Sequence, residues 1–124
     1  MRGADKASET GSCLLPRLRV VVGKDIALGP GKVELLEQID AEGSILKAAK
    51  RMNMSYMRAW TLLRTMERCF KSELVTKSRG GKTGGSAQLT PSGLKILALY
   101  RRMEMDCGKA TGSAWRELRR HLKS

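Results

Sequence analysis

The sequence predicts a mainly α-helical chain that carries one small β-hairpin. Three observations lead there. Apolar residues recur at helical spacing through residues 32–70 and again through 91–107. The alternating stretch LVTKSR meets a second strand-like run, AQLT, across the glycine-rich segment RGGKTGGS. Ser44, Ser55 and Thr90 each stand directly before a helical pattern, where a hydroxyl can accept the unpaired N–H groups of a first turn.

Taken in order, residues 1–16 are polar, small and aperiodic, and predict a disordered tail ending at Pro16. Leu18–Val22 is rich in β-branched residues, and Ile26–Leu28 follows after Gly23-Lys24-Asp25. This predicts one strand, with or without a break, ending at Gly29-Pro30-Gly31. Lys32–Ala41 places Val33, Leu36 and Ile39 at helical spacing until Gly43 stops the pattern. Ser44 caps a short helix with Ile45, Ala48, Ala49 and Met52 on one face, and Asn53 is its expected C-cap.

The third helix runs from Ser55 through SYMRAWTLLRTMERCF. At about 100° per residue, Leu62, Leu63, Met66 and Phe70 gather around Ala59 as a core stripe. Met57, Thr61, Arg64 and Arg68 lie opposite. Such a helix can sit on a core and present arginines outward; a solvated basic face is the plainer alternative. Trp60 falls on the border, and the wheel leaves open whether it packs or faces outward. Leu74–Leu89 then forms the hairpin, with a basic glycine loop at its tip. Thr90-Pro91 opens a long helix, since proline is tolerated in a first turn. Leu94, Ile96, Leu97, Tyr100 and Met103 make it more apolar than a lone surface helix needs. A dimer contact would bury the surplus. Gly108 and Gly112 are expected to end it, leaving SAWRELRRHLK as a short terminal helix that docks, contacts nucleic acid or frays. The expected division is a tail at 1–16, a domain at 17–107 and a helical extension at 108–124.

Charge narrows the partner. The chain has 24 Lys+Arg against 12 Asp+Glu. Residues 1–54 hold 9 basic and 7 acidic side chains, and residues 55–124 hold 15 and 5. An anionic partner, most simply nucleic acid, should meet the second half. Cys13, Cys69 and Cys107 are widely spaced, and His121 is the only histidine, so neither a zinc site nor a disulfide framework is expected. No apolar run approaches the roughly 18–20 residues of a membrane helix. A cytoplasmic protein without a cofactor is expected.

The glycine loop admits two chemistries. Gly81-Lys82-Thr83 matches the end of the phosphate-loop pattern G-x-x-x-x-G-K-[ST]. The pattern's first glycine would fall at Thr76, however, and the loop should feed a helix rather than AQLT. A nucleotide hydrolase is therefore set aside, and no acidic pair supports another enzyme. The remaining reading is a winged helix-turn-helix with a long C-terminal helix: its third helix enters the major groove and its hairpin grips backbone.

The residues carry a resemblance. Ser55-Tyr56 with Ala59-Trp60, together with Gly80-Gly81-Lys82-Thr83-Gly84-Gly85-Ser86-Ala87 and Leu89-Thr90, resemble the N-terminal DNA-binding domain of ModE-type molybdate-responsive regulators, themselves similar to the helix-turn-helix of LysR-type regulators. Gly43-Ser44-Ile45, Ala48-Ala49 and Leu99-Tyr100 match more weakly, and the resemblance spans roughly residues 18–105. It implies a dimeric regulator of double-stranded DNA that binds a palindromic site. The family's C-terminal molybdate-binding domains find no counterpart in the residues after the long helix, which leaves two readings open: a DNA-binding module that takes its signal from elsewhere, or one that does not sense molybdate. Candidate DNA-binding residues are Ser44 and Ser55 as caps; Tyr56, Arg58, Thr61 and Arg64 on the third helix; and Lys77, Arg79, Gly80, Gly81, Lys82 and Thr83 on the wing. Arg58 lies off the centre of the outward face, where a phosphate is the expected contact. Two alternatives stay open: a non-specific architectural protein, and a protein-interaction module with vestigial DNA binding.

Overall fold

The computed structural model describes residues 11–78 and 85–123. The elements are β1 (Val20–Val22), β2 (Asp25–Leu28), α1 (Pro30–Glu42), α2 (Ile45–Arg51), α3 (Tyr56–Cys69), β3 (Val75–Ser78), β4 (Ser86–Leu89) and α4 (Pro91–Arg119). The strands form two separate antiparallel pairs, β1 with β2 and β3 with β4. The winged helix-turn-helix expected from the sequence is present, with a second hairpin added.

That second hairpin corrects the single strand expected over Leu18–Leu28. Val21 pairs with Ile26 and Val22 with Asp25, so the chain reverses at Gly23-Lys24. Gly23 takes φ 60°, a left-handed conformation that glycine enters without a Cβ penalty. Residues 11–19 have no regular structure; the rest of the expected tail, residues 1–10, lies outside the described residues.

The helix-turn-helix is built by its caps. α1 ends at Gly43, φ 76°, whose N–H donates to the Ile39 carbonyl at 2.9 Å. Ser44 Oγ accepts the Lys47 N–H at 2.9 Å and starts α2 at once. Met52 is the C-cap of α2, and Asn53 follows one residue past it at φ 56°. Asparagine tolerates this left-handed geometry better than most residues, and the Met54 N–H then returns to the Ala49 carbonyl at 3.0 Å.

The core lies where these helices meet. Val33, Leu35, Leu36 and Ile39 of α1, Ala48 and Ala49 of α2, and Ala59, Leu63 and Met66 of α3 are buried. The small alanines of α2 let neighbouring helices approach closely. Leu62 and Phe70, expected in the α3 stripe, are half-buried at its margins. From the hairpin, Val75, Ala87 and Leu89 are buried. The Ala87 N–H donates to the Gly43 carbonyl at 2.9 Å, which ties the wing to the α1–α2 turn.

α4 enters through a tight joint. Thr90 Oγ1 accepts the Gly93 N–H at 2.9 Å, as a cap should, and donates to the Glu73 carbonyl at 2.6 Å. The helix then runs unbroken to Arg119, so the interruption expected at Gly108 and Gly112 does not occur. A glycine inside a helix costs only about 1 kcal/mol against alanine and removes no hydrogen bond. Their neighbours include good helix formers, among them Met103, Lys109 and Ala110. The chain divides into two compact units. One is Leu18–Ala98; the other joins the described residues before Leu18 to α4 from Leu99 onward. Within the latter, Arg101 pairs with Glu104 at 2.7 Å.

Candidate nucleic-acid interface

The candidate interface is centred on α3. Ser55 is extended (φ −71°, ψ 156°), and its Oγ accepts the Arg58 N–H at 3.0 Å. The cap fixes where the helix begins and hence which side chains follow it outward. Removing it by Ser55→Ala should cost about 1 kcal/mol of stability. Thermal unfolding followed by circular dichroism checks this, and Ser55→Asp should recover most of the loss.

The outward side of α3 is as expected. Tyr56 (44% exposed), Met57 (70%), Arg58, Thr61 and Arg64 all reach solvent. Thr61 Oγ1 donates to the Met57 carbonyl at 2.9 Å, so its hydroxyl presents acceptor capacity outward. The arginines separate into two kinds. Arg68 lies 3.6 Å from Asp25 at the tip of the first hairpin, and Arg51 lies 3.5 Å from Glu42. Among the described residues neither Arg58 nor Arg64 has an ion-pair partner.

The wing begins beside this surface. β3 and β4 pair Val75 with Leu89, Thr76 with Gln88, Lys77 with Ala87 and Ser78 with Ser86. Ser78 and Ser86 hydrogen-bond side chain to side chain at the outer end. Arg79, Gly80, Gly81, Lys82 and Thr83 lie outside the described residues. After them the chain enters β4, a strand. A phosphate loop feeds a helix, so the strand at this place departs from that pattern.

Lys77 is placed differently from Arg58 and Arg64. Its ammonium lies 3.5 Å from Glu67 Oε1 and 5.1 Å from the centre of the Trp60 ring. Trp60 in turn meets Tyr56 edge to face, with centroids 6.2 Å apart. The open question about Trp60 is thus answered by packing: it lies between α3 and the wing. Sequence reasoning missed Glu67. Its Oε2 accepts the N–H groups of Leu74 at 2.9 Å and Val75 at 3.2 Å. Both recipients lie beyond Cys69, where α3 ends, so helix periodicity does not reach them and no local signal pointed to Glu67.

Among the described residues no three His, Cys, Asp or Glu side chains converge as a metal site. Cys13, Cys69 and Cys107 are half-buried free thiols. No helix among the described residues is long and apolar enough to cross a membrane.

The chain is 38% identical over 97 residues to the molybdenum transport protein ModE of Azotobacter vinelandii, covering 78% of this chain and 36% of that protein. It is 38% identical over 86 residues to the molybdenum-pterin-binding protein MopB of Rhodobacter capsulatus, covering 69% and 32%. The chain thus spans about a third of the length of these relatives. In fold it is similar to the protein in the crystal structure of the CbnR_DBD–DNA complex, with a TM-score of 0.54 at 19% identity over 72% of this chain and 97% of that one. The model of bacterial regulatory helix-turn-helix proteins of the lysR family matches residues 31–94, more than half of the 124 residues. With its capped α2–α3 pair and adjoining hairpin, the chain belongs to the lysR family of bacterial regulatory helix-turn-helix proteins.

Proposed function

We propose that this chain is a sequence-specific DNA-binding transcriptional regulator of the ModE N-terminal type. It acts without catalysis, in the cytoplasm, as a homodimer on double-stranded DNA. The observation that carries the reading is the pair of arginines, Arg58 and Arg64, which have no ion-pair partner among the described residues and stand on the exposed side of a capped helix beside a basic hairpin. In this reading Tyr56, Thr61 and Arg64 face base edges and Arg58 a phosphate. Ser44 and Ser55 aim the N–H ends of their helices at backbone. On the strength of the sequence, Arg79, Lys82 and Thr83 add backbone contacts, and Gly80 and Gly81 permit close approach. The similarity to ModE and MopB supports the assignment.

Selection from a randomised duplex pool, with and without molybdate, tests it. An enriched inverted repeat is the expected result. A flat affinity that vanishes as salt rises would instead identify a non-specific architectural protein. Dimerisation has its own support: Leu94, Leu99, Met103 and Met105 of α4 are each 41–52% exposed. Sedimentation equilibrium should give twice the 13.7 kDa chain mass; a monomer at micromolar concentration would remove the dimer from the proposal.

A further inference from the structure

We propose that Lys77, Glu67 and Trp60 form a brace that sets the wing against the recognition helix, and that Lys77 acts through this brace instead of gripping phosphate. The inference rests on the DNA-reading function and concerns how that function gains its specificity. Five contacts carry it. Both Glu67 oxygens are engaged, Oε2 by two backbone N–H groups at the entry to β3 and Oε1 by Lys77. Lys77 stands over the indole of Trp60, which sits one turn after Tyr56 and contacts it. Every member is at least partly withdrawn from water, with side-chain exposures of 29% for Lys77 and 19% for Glu67.

Strand alternation explains the placement. Lys77 stands two residues after Val75 and opposite Ala87, and both of these are buried. Side chains two apart share a face of a strand. Lys77 therefore occupies the inner face of the wing, where an uncompensated ammonium would be costly. Glu67 supplies the opposite charge and the ring supplies its negative face. A lysine in this position resists release to an external phosphate, because release strands a partly buried carboxylate. The same contacts join a helix that reads bases to a hairpin that holds backbone. Their relative position is then fixed by side chains, and a site with the wrong spacing between base and backbone contacts binds less well.

The test separates the brace from simple electrostatics by sign. Glu67→Gln keeps an acceptor for Leu74 and Val75 but removes the charge that holds Lys77. If Lys77 were a phosphate contact, removing that nearby negative charge would tighten binding. The brace predicts the reverse for the selected duplex. Affinities of wild type, Glu67→Gln, Lys77→Met and the double variant are measured on the selected duplex and on a scrambled one across a salt series. Each single variant should lose about threefold to tenfold in the ratio of selected to scrambled binding. The double variant should lose no more than either single one. Tighter binding by Glu67→Gln on both duplexes, or a Lys77→Met loss equal on both, would overturn the brace and return Lys77 to the phosphate contacts. Should wild type itself show no preference between duplexes, the DNA-reading function fails on its own. Hydrogen exchange at the amides of Leu74 and Val75 then decides the brace separately: faster exchange in Lys77→Met upholds it, and unchanged exchange overturns it.

Discussion

Replacing Arg64 with alanine is expected to weaken binding to the selected duplex by about 1–3 kcal/mol, roughly fivefold to 150-fold. It should also relax the sequence preference at a single base-pair position. The expectation follows from what surrounds the residue. Arg64 is on the exposed side of α3, and no carboxylate among the described residues competes for it. An arginine that reads the two acceptors of a guanine edge is lost with both hydrogen bonds. A repeat of the selection with Arg64→Ala checks this directly. Uniform weakening across all sequences, with a shallower salt dependence, would assign Arg64 to phosphate. Arg68 is the internal control, because its guanidinium is already paired with Asp25. Arg68→Ala should change affinity little and leave the sequence preference intact.

A second large effect is expected far from any base. At Gly93 a Cβ would overlap the Leu74 carbonyl oxygen and lie 3.1 Å from the carbonyl carbon. That carbonyl cannot step aside, since it accepts the Thr90 N–H at 2.9 Å, and the Leu74 N–H is held by Glu67. Gly93→Ala should therefore cost about 2–3 kcal/mol, at the upper end of overpacking effects. In a domain of this size the midpoint of thermal unfolding should fall by about 10 °C or more. Gly108→Ala is the matched control: it lies on the same helix with nothing within 4 Å of its Cβ position. Relieved of glycine's backbone entropy, that variant should be slightly more stable than wild type. Equal stability of the two variants would show that the α4 joint yields more readily than its geometry implies.

The legibility of the fold varied with the range of the interaction. The three hydroxyl caps at Ser44, Ser55 and Thr90 were readable because a cap and its recipient N–H stand three residues apart. The core stripe of Ala59, Leu63 and Met66 was readable because helix periodicity is local. The same periodicity set Arg64 and Thr61 on the opposite side. The unbroken α4 was misread because two glycines were given the weight of a stop, when helix propensity spreads such a cost over many neighbours. The first hairpin was misread because a three-residue strand, Val20–Val22, gives too short an alternation to separate a broken strand from a reversal.

By itself the sequence determined the class of this protein: three capped helices, a basic glycine-tipped hairpin, and arginines placed opposite an apolar stripe. Those features depend on neighbours a few residues apart, so one dimension is enough to see them. Only the tertiary structure decided which cations are available. Arg58, Arg64, Arg68 and Lys77 all read as cations in the sequence, yet among the described residues two have no ion-pair partner, one is paired with Asp25, and one lies near both Glu67 and Trp60. The physical reason is that a charge is spent or kept according to what lies within a few ångströms. For Arg68 and Lys77 those partners come from other elements, brought near only when the hairpins fold against α3.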